Sequence, residues 1–406
     1  MGSQMPYGRN EGMYPHGADV LERDSSDGGF SRGWAMHCKP IPQRYFDVHT
    51  HFCGRTDRPV AGQIRGCGED AAELMNARAM LILQLRGKKR GAGWPPASVM
   101  DNFPYYGLES MRAGLEGFER TGQLWAVHLD CRSPEPELLR AAAGMGAKCL
   151  KLHNAPAIEN NIPPDVWLSR DWQDVFRAAA ELGMFVLFHV TQRLSASAYT
   201  GGGRNSYWEK GWANGTAYTN EDLLQAFLSC CRANPDVAFI GAHQLHLGWE
   251  RLDGLFAAYP NLCADTSIGC QLRLCDSFYP HDREYLRLVF QKWADRILFG
   301  TDSVWGRSGA GASGGAGAEA GDGVETDAGA GAGADAEAGN GADAEAGNGV
   351  EASAGAGADA GAGVGAGVGL DKEHCLRHMR FISELDLPED ALRKICHENA
   401  ERLCRI

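Results

Sequence analysis

The stretch Tyr45-Phe46-Asp47-Val48-His49-Thr50-His51-Phe52 decides how the chain is read. Apolar and aromatic residues flank an alternating His-x-His, the pattern of a short buried strand over 45–51. Strand side chains alternate in direction, so His49 and His51 point to the same side. Two neutral imidazoles converging there are half of the ligands a zinc-like cation needs. An ordinary strand with two half-buried polar residues would look the same, and the rest of the chain has to choose.

Outward from that strand, apolar runs and helical spacing alternate to the end of the chain. A Gly-rich turn at Gly62, Gly66 and Gly68 leads to a short helix at 69–76 and a second strand at 77–85. A loop at 87–104, with Lys88-Lys89-Arg90 as a solvated turn, precedes a helix at 106–122 whose Leu108, Met111, Leu115 and Phe118 share one face. Further strands fall at 124–129, 147–152, 184–190, 237–243, 261–266 and 296–302. Helices at 134–146, 171–182, 220–234, 249–258 and 282–294 separate them, with Asn220 expected to cap its helix. Eight strands, each followed by a helix-sized segment, give an α/β fold, a (β/α)8 TIM-type barrel. An open doubly wound sheet is the alternative, but no Gly-x-Gly-x-x-Gly follows the first strand.

Residues 1–44 lack either periodicity and read as a loose N-terminal arm, and 45–306 as the barrel. Residues 307–369 are almost entirely Gly and Ala with scattered Asp and Glu, and the octapeptide Gly-Ala-Asp-Ala-Glu-Ala-Gly-Asn repeats at 333–340 and 341–348. So little apolar surface cannot offset ordering entropy, and a disordered insertion after the eighth strand is expected, passive or a loose acidic lid. Helices at 374–385 and 389–403, within 370–406, then complete the barrel domain.

The net charge of −13 misleads. Ten of the acidic residues lie between Ser308 and Leu370, where there is no Lys or Arg, so the rest of the chain carries only −3 of the −13. A near-neutral barrel offers no basic field for nucleic acid. The 13 cysteines are scattered with no CxxC pair, which suits a reducing, cytoplasmic setting. No apolar run approaches a membrane span, the N-terminus lacks a secretory apolar core, and Pro6 stands where a myristoylation signal wants Ser or Thr.

In a barrel, chemistry sits at the C-terminal ends of strands. Those ends carry His49 and His51, then His128, Lys151 and His153, His189, His243 and Asp302. His189 interrupts an apolar strand, where an unpaired polar group is costly, so a ligand role is favoured. Asp302, after Leu-Phe-Gly-Thr, needs a partner that packing does not supply. His128, followed by Leu129 and Asp130, reads as packed or supporting.

These residues resemble the amidohydrolase superfamily, in the amidohydrolase-related branch that includes aminocarboxymuconate-semialdehyde decarboxylase-like enzymes. The resembling pieces are FDVHTHF at 46–52, GAKCLKLHN at 146–154, VLFHV at 186–190, FIGAH at 239–243, YPNLCADTS at 259–267, ILFGTDS at 297–303 and KICHENAERL at 394–403. The resemblance implies that His49, His51, His189 and Asp302 hold one divalent metal, zinc, with manganese the alternative. It also implies that His243 is the acid/base, with Asp302 accepting a hydrogen bond from the water. Where the family runs from this histidine straight into a Leu-Gly turn, this chain reads Ala242-His243-Gln244-Leu245-His246-Leu247-Gly248, so His246 also competes for the role. Some relatives carry a metal-bridging carboxylated lysine near the place of Lys151; pairing with a substrate carboxylate is the role expected here.

The activity so implied is hydrolysis of a C–N or C–O bond, in an amide, lactone or similar small molecule, through a metal-activated water. Non-oxidative decarboxylation of a carboxylated ring or enol is the alternative. Lys151, His153 and Arg55 are candidate substrate-binding residues, as are Arg193 and Arg204, while Trp208, Trp212 and Trp305 either wall a pocket or pack loops. A metal-binding relative without turnover, or a TatD-like nuclease, are readings from other classes; the second wants basic loops that this barrel lacks. The expected partner is a small-molecule substrate, with no nucleic acid and no membrane, and a homo-oligomer left open.

Overall fold

A computed structural model of the chain describes residues 44–54, 59–75, 78–85, 105–191, 218–247, 249–268, 282–305 and 372–406. The N-terminal arm, the 307–369 insertion, Arg55, Arg193, Arg204, Trp208 and Trp212 lie outside the described residues.

Nine parallel strands form one sheet: β1 (Phe46–Phe52), β2 (Arg78–Gln84), β3 (Leu124–His128), β4 (Cys149–His153), β5 (Phe185–His189), β6 (Phe239–Gly241), β7 (Leu262–Asp265), β8 (Ile297–Leu298) and β9 (Ser303–Trp305). Their order is β8-β7-β6-β5-β4-β3-β2-β1-β9. The two edges belong to one stretch of chain. β8 pairs with β7 through Ala264↔Ile297, and β9 pairs with β1 through Thr50↔Ser303. Between them Val48 N–H donates to the Phe299 carbonyl at 3.1 Å. Residues 297–305 therefore tie β7 to β1, and the expected barrel closes.

Alternation along each strand sorts the apolar residues into two cores. Met80, Ile82, Ala126, Cys149, Phe185 and Leu187 face the lumen, where Ala400 and Cys404 of the C-terminal helix plug its floor. Their neighbours Leu81, Leu83, Val127, Leu150, Val186 and Phe188 face the helix layer. Around the sheet run α1 (Val60–Met75), α2 (Leu108–Arg120), α3 (Pro136–Gly144), α4 (Ala155–Glu159), α5 (Arg170–Leu182), α6 (Asn220–Ala233), α7 (Trp249–Ala258) and α8 (Arg283–Lys292). α9 (Lys372–Glu384), α10 (Glu389–Arg393), a π-helical turn (Lys394–Glu398) and α11 (Asn399–Cys404) finish the chain. α5 shows why such segments are helices: Trp172, Val175, Phe176 and Ala179 are buried at helical spacing, and Gly183, at φ +65°, ends it.

Four expectations need correction. The expected turn at Gly62, Gly66 and Gly68 is part of α1. A Cβ on Gly68 would meet Thr121 Oγ1 at 2.8 Å and Phe118 Cδ2 at 2.9 Å, so that glycine admits the end of α2 rather than bending the chain. The cap of α6 is Thr219, whose hydroxyl accepts from Asp222 N–H while the Asp222 side chain accepts from Thr219 N–H; Asn220 is the first helical residue. The sixth strand stops at Gly241, and the eighth is broken, with Asp302 in the turn between β8 and β9. Of the two alternatives for Trp305, packing holds: it is buried in the core behind the sheet.

Helices α1 and α2 meet backbone to backbone at Gly114, where an added Cβ would come within 2.6 Å of Ala61 Cα and 2.7 Å of its carbonyl oxygen. Helix propensity alone favours Ala over Gly by about 1 kcal/mol. Overpacking against backbone costs about 1–3 kcal/mol, because the whole helix must move. Gly114→Ala is therefore expected to lower stability, read as a lower denaturant midpoint at unchanged slope; a stabilised variant would show that the helices separate freely.

Candidate metal centre

The ends of the strands meet at one mouth of the barrel. His49 and His51 point the same way from β1, and the turn holding Asp302 comes back to meet them. Asp302 N–H donates to the His49 carbonyl at 2.7 Å, and its backbone takes φ +60°, a conformation a side chain adopts only when held. The result is a triangle. His49 Nε2 and His51 Nε2 lie 3.2 Å apart, and Asp302 Oδ1 lies 3.3 Å from each. Ligands at about 2.0–2.1 Å from a tetrahedral cation stand about 3.3 Å from one another. The three atoms have the spacing of a shared cation, and their chemistry, two imidazole nitrogens and a carboxylate, fits one.

The residue that sets this up is Asp265, at the end of β7. It is fully buried and receives three hydrogen bonds: His49 Nδ1–H on Oδ2 at 2.7 Å, Ser267 Oγ–H on Oδ1 at 2.7 Å, and His243 N–H on Oδ1 at 2.8 Å. A carboxylate only accepts, so the His49 proton sits on Nδ1 and its Nε2 lone pair faces the triangle. Ser267 gives its one proton to Asp265, so its oxygen accepts from His243 Nδ1–H at 2.9 Å, leaving a lone pair on His243 Nε2. Asp265 is absent from the candidates drawn from the sequence. Its signal was the one used for Asp302, an acid ending an apolar strand, in Leu262-Cys263-Ala264-Asp265.

His243 lies beyond β6, in a turn where His243, Gln244, Leu245 and His246 take φ of 56°, 52°, 57° and 49°. Left-handed backbone costs about 1–2 kcal/mol per residue, so the turn needs pins. Gln244 Nε2 donates to the carbonyls of Asp265 and Ser267 at 2.6 and 2.7 Å, and the Thr191 hydroxyl donates to that of Leu245. The tight turn stacks His246 on His243, with ring centres 5.0 Å apart. His243 Nε2 faces His189 Nδ1 at 3.2 Å. Ligand atoms of His189, His243 and His246 come within 4.8 Å of one another, as do those of His49, His243 and Asp302. His243 is thus the hinge between two groups, and His189 stands in the one away from Asp302.

Lys151 and His153 both face the mouth from β4. Lys151 Nζ donates to His49 Nε2 at 2.9 Å, and His153 Nδ1 accepts from Ala155 N–H at 2.9 Å while its ring lies 4.0 Å from that of His189. Burial dominates the ionisation of these groups. It holds His51 down to about 4, lowers His128, His153, His189 and His243 well below the usual histidine value, and brings Lys151 down to about 8. For Asp302 burial pushes up, but the surrounding His49, His51 and His243 outweigh it and hold the carboxyl well below its usual range. Burial thus favours the neutral form of His51, His128, His153, His189 and His243, the form a metal ligand needs.

The family model described as amidohydrolase matches residues 118–406 of this chain. No curated protein sequence matches it. Among solved structures, an uncharacterised TIM-barrel protein from Bordetella bronchiseptica is similar over 89% of this chain and 98% of its own, at 10% identity and a TM-score of 0.46. An amidohydrolase from Burkholderia multivorans with bound zinc is similar over 89% and 99%, at 12% identity and TM-score 0.41. A 5-carboxyvanillate decarboxylase from Novosphingobium aromaticivorans, complexed with manganese and 4-hydroxy-3-methoxy-5-nitrobenzoic acid, is similar over 91% and 98%, at 10% identity and TM-score 0.42.

Two outcomes follow from this arrangement. Asp265→Asn can donate to His49 and so reverse its tautomer; zinc affinity, measured against a competing chelator, is expected to fall about 10–100-fold. An unchanged affinity would show that Asp265 does not orient the ring. Metal-free protein is expected to lose stability as pH falls from 6.5 to about 4, because the unfolded chain takes up protons that six buried histidines, these five and His378, refuse. Asp47, raised by burial to about 7, and Glu119, also raised by burial, act in the opposite sense, their contribution being lost as pH rises, but they are two groups against six. A melting temperature flat across that window would contradict the burial of these rings.

Proposed function

The chain belongs to the amidohydrolase family, whose members are enzymes, and from that footing we propose that it is a metal-dependent hydrolase cleaving a C–N or C–O bond of a small molecule. One observation carries the reading: His49 Nε2, His51 Nε2 and Asp302 Oδ1 converge at 3.2–3.3 Å. His189 is the fourth ligand in this reading, supported by an Nε2 that is buried without a hydrogen-bond partner. A donor set of three imidazoles and one carboxylate suits one zinc, with manganese the alternative. A cation held there supplies Lewis-acid polarisation of a substrate carbonyl and acidifies water.

The remaining work falls to the chain's own groups. His243, held through Nδ1 by Ser267, offers Nε2 to accept a proton and later return it to the leaving atom. Asp302 has one oxygen turned toward the imidazoles and a second to orient or take a proton. The apolar lumen below excludes bulk water, which strengthens both interactions. The ten described cysteines are all buried and none is in a disulfide, which supports a reducing, cytoplasmic setting.

Elemental analysis of the purified protein tests the reading. Wild type is expected to hold about one equivalent of zinc or manganese, and His51→Ala, His189→Ala and Asp302→Ala to lose it, with larger effects than the about 10–100-fold of Asp265→Asn. Hydrolytic turnover of amide or lactone substrates should vanish with the metal. A folded wild type that refuses added zinc sinks the proposal; release of carbon dioxide without consumption of water would replace hydrolysis by decarboxylation.

A further inference from the structure

The mouth is divided by charge. Its carboxylates, Asp265 and Asp302 with Asp47 behind them, come from β7, the β8–β9 turn and β1, and each is hydrogen-bonded or ion-paired there. The β3–β4 side presents His128, Lys151 and His153. Asp130, the next acid along that side, is taken by Arg132 through Nε at 2.7 Å and Nη2 at 2.5 Å, and by the Tyr105 hydroxyl at 3.3 Å.

His128 is 3% exposed, and neither of its ring nitrogens has a hydrogen-bond partner. Ala126, two residues earlier on the strand, lines the lumen, so His128 faces the same way at the mouth. It stands in register beside Lys151 of the neighbouring strand. Lys151 is fully buried, and among the described residues no carboxylate lies within ion-pair range of it; His49 Nε2 is its hydrogen-bond partner. Because His153 Nδ1 accepts from a backbone amide, its ring proton is on Nε2.

A buried imidazole with two unsatisfied nitrogens is costly, and a buried ammonium without a counter-ion more so. Both costs are tolerable if a ligand supplies the acceptors. The metal reading sharpens the point, since a cation that takes the His49 Nε2 lone pair removes the acceptor of Lys151. We infer that His128, Lys151 and His153 form a subsite for a carboxylate, and that the substrate carries one apart from the bond that is cut. One ammonium and two imidazoles on neighbouring strands match a monoanion better than a phosphate dianion. This subsite rests on the metal reading and adds His128 as a residue that selects the substrate.

Calorimetric titration of zinc-loaded protein with benzoate, its neutral isostere benzamide, and inorganic phosphate tests the assignment. Wild type is expected to bind benzoate about tenfold or more tighter than benzamide or phosphate, and His128→Phe to weaken benzoate about tenfold, the loss of one hydrogen bond to a charged group. The same variant should keep its zinc and its melting temperature, because the fold itself makes no hydrogen bond to His128; Lys151→Met should weaken benzoate further while leaving benzamide unchanged. Zinc-loaded wild type that binds benzoate no better than benzamide, binds none, or prefers phosphate overturns the subsite, as does a His128→Phe variant that binds benzoate like wild type. Wild type that takes up no zinc instead sinks the metal reading, so the two failures are told apart.

Discussion

Backbone hydrogen bonds from Asp302 N–H to the His49 carbonyl and from Val48 N–H to the Phe299 carbonyl, with the pairing of β9 on β1, join the last strand segments to the first. Without that junction the sheet would be an open ribbon, and the ligands from β1 and the β8–β9 turn would sit at opposite edges. Asp47 fastens the same seam from inside β1, accepting from His49 N–H, Thr301 N–H and the Thr301 hydroxyl. A buried carboxylate costs several kcal/mol of desolvation, while a hydrogen bond to a charged group returns about 1.5–3 kcal/mol. Three such bonds offset part of that cost, and burial still raises the Asp47 carboxyl to about 7. Fold closure and site assembly are therefore one event: whatever loosens 297–305 separates Asp302 from His49 and His51.

The site is also where the molecule departs from what stability alone would choose. The lumen floor is apolar and plugged by the C-terminal helix, yet the layer above it holds histidines, a lysine and two aspartates in near-complete burial. A stretch of four left-handed residues follows β6, where a simple loop would be less strained. Strain and desolvation concentrate at functional positions because the geometry they enforce cannot be reached by relaxed backbone and solvated side chains. Here the enforced geometry is two lone pairs and a carboxylate oxygen aimed at one point, with a third imidazole oriented through Ser267.

Much of this was legible in the residues. Alternating apolar strands and amphipathic helices fixed the barrel, since period-2 and period-3.6 patterns have different physical origins and are hard to confuse over whole elements. His49, His51 and Asp302 stood out as polar groups ending apolar strands. Local conformation was less legible. Gly68 reads as a turn because glycine bends chains freely, but its lack of a Cβ serves contact with Thr121 and Phe118, which only the tertiary structure reveals. The strand body Phe239-Ile240-Gly241-Ala242 suggests extension through His243, whereas hydrogen bonds to Asp265 and Ser267 and one from Thr191 pull the chain into a turn. Asp265 carried the right signal and was passed over because β1 and β8 already supplied a metal set; supporting carboxylates announce themselves only through the atoms they hold.

The same seam bears on the long Gly/Ala-rich sequence that separates β9 from α9 along the chain. The elements on either side of it, β9 and α9, are bound to each other without its help. His374 Nε2 donates to the Thr301 carbonyl at 2.7 Å, and Ser303 Oγ meets Cys375 Sγ at 3.2 Å. Those contacts hold β9 and α9 together directly, and the closure entropy of intervening chain grows only logarithmically with its length. His374 and Cys375 thus do two things at once, holding the Asp302 turn from behind and insulating it from the length of the intervening chain. Had the final helices instead been positioned through the 307–369 segment, each added repeat would have displaced the turn and, with it, the carboxylate of the metal centre.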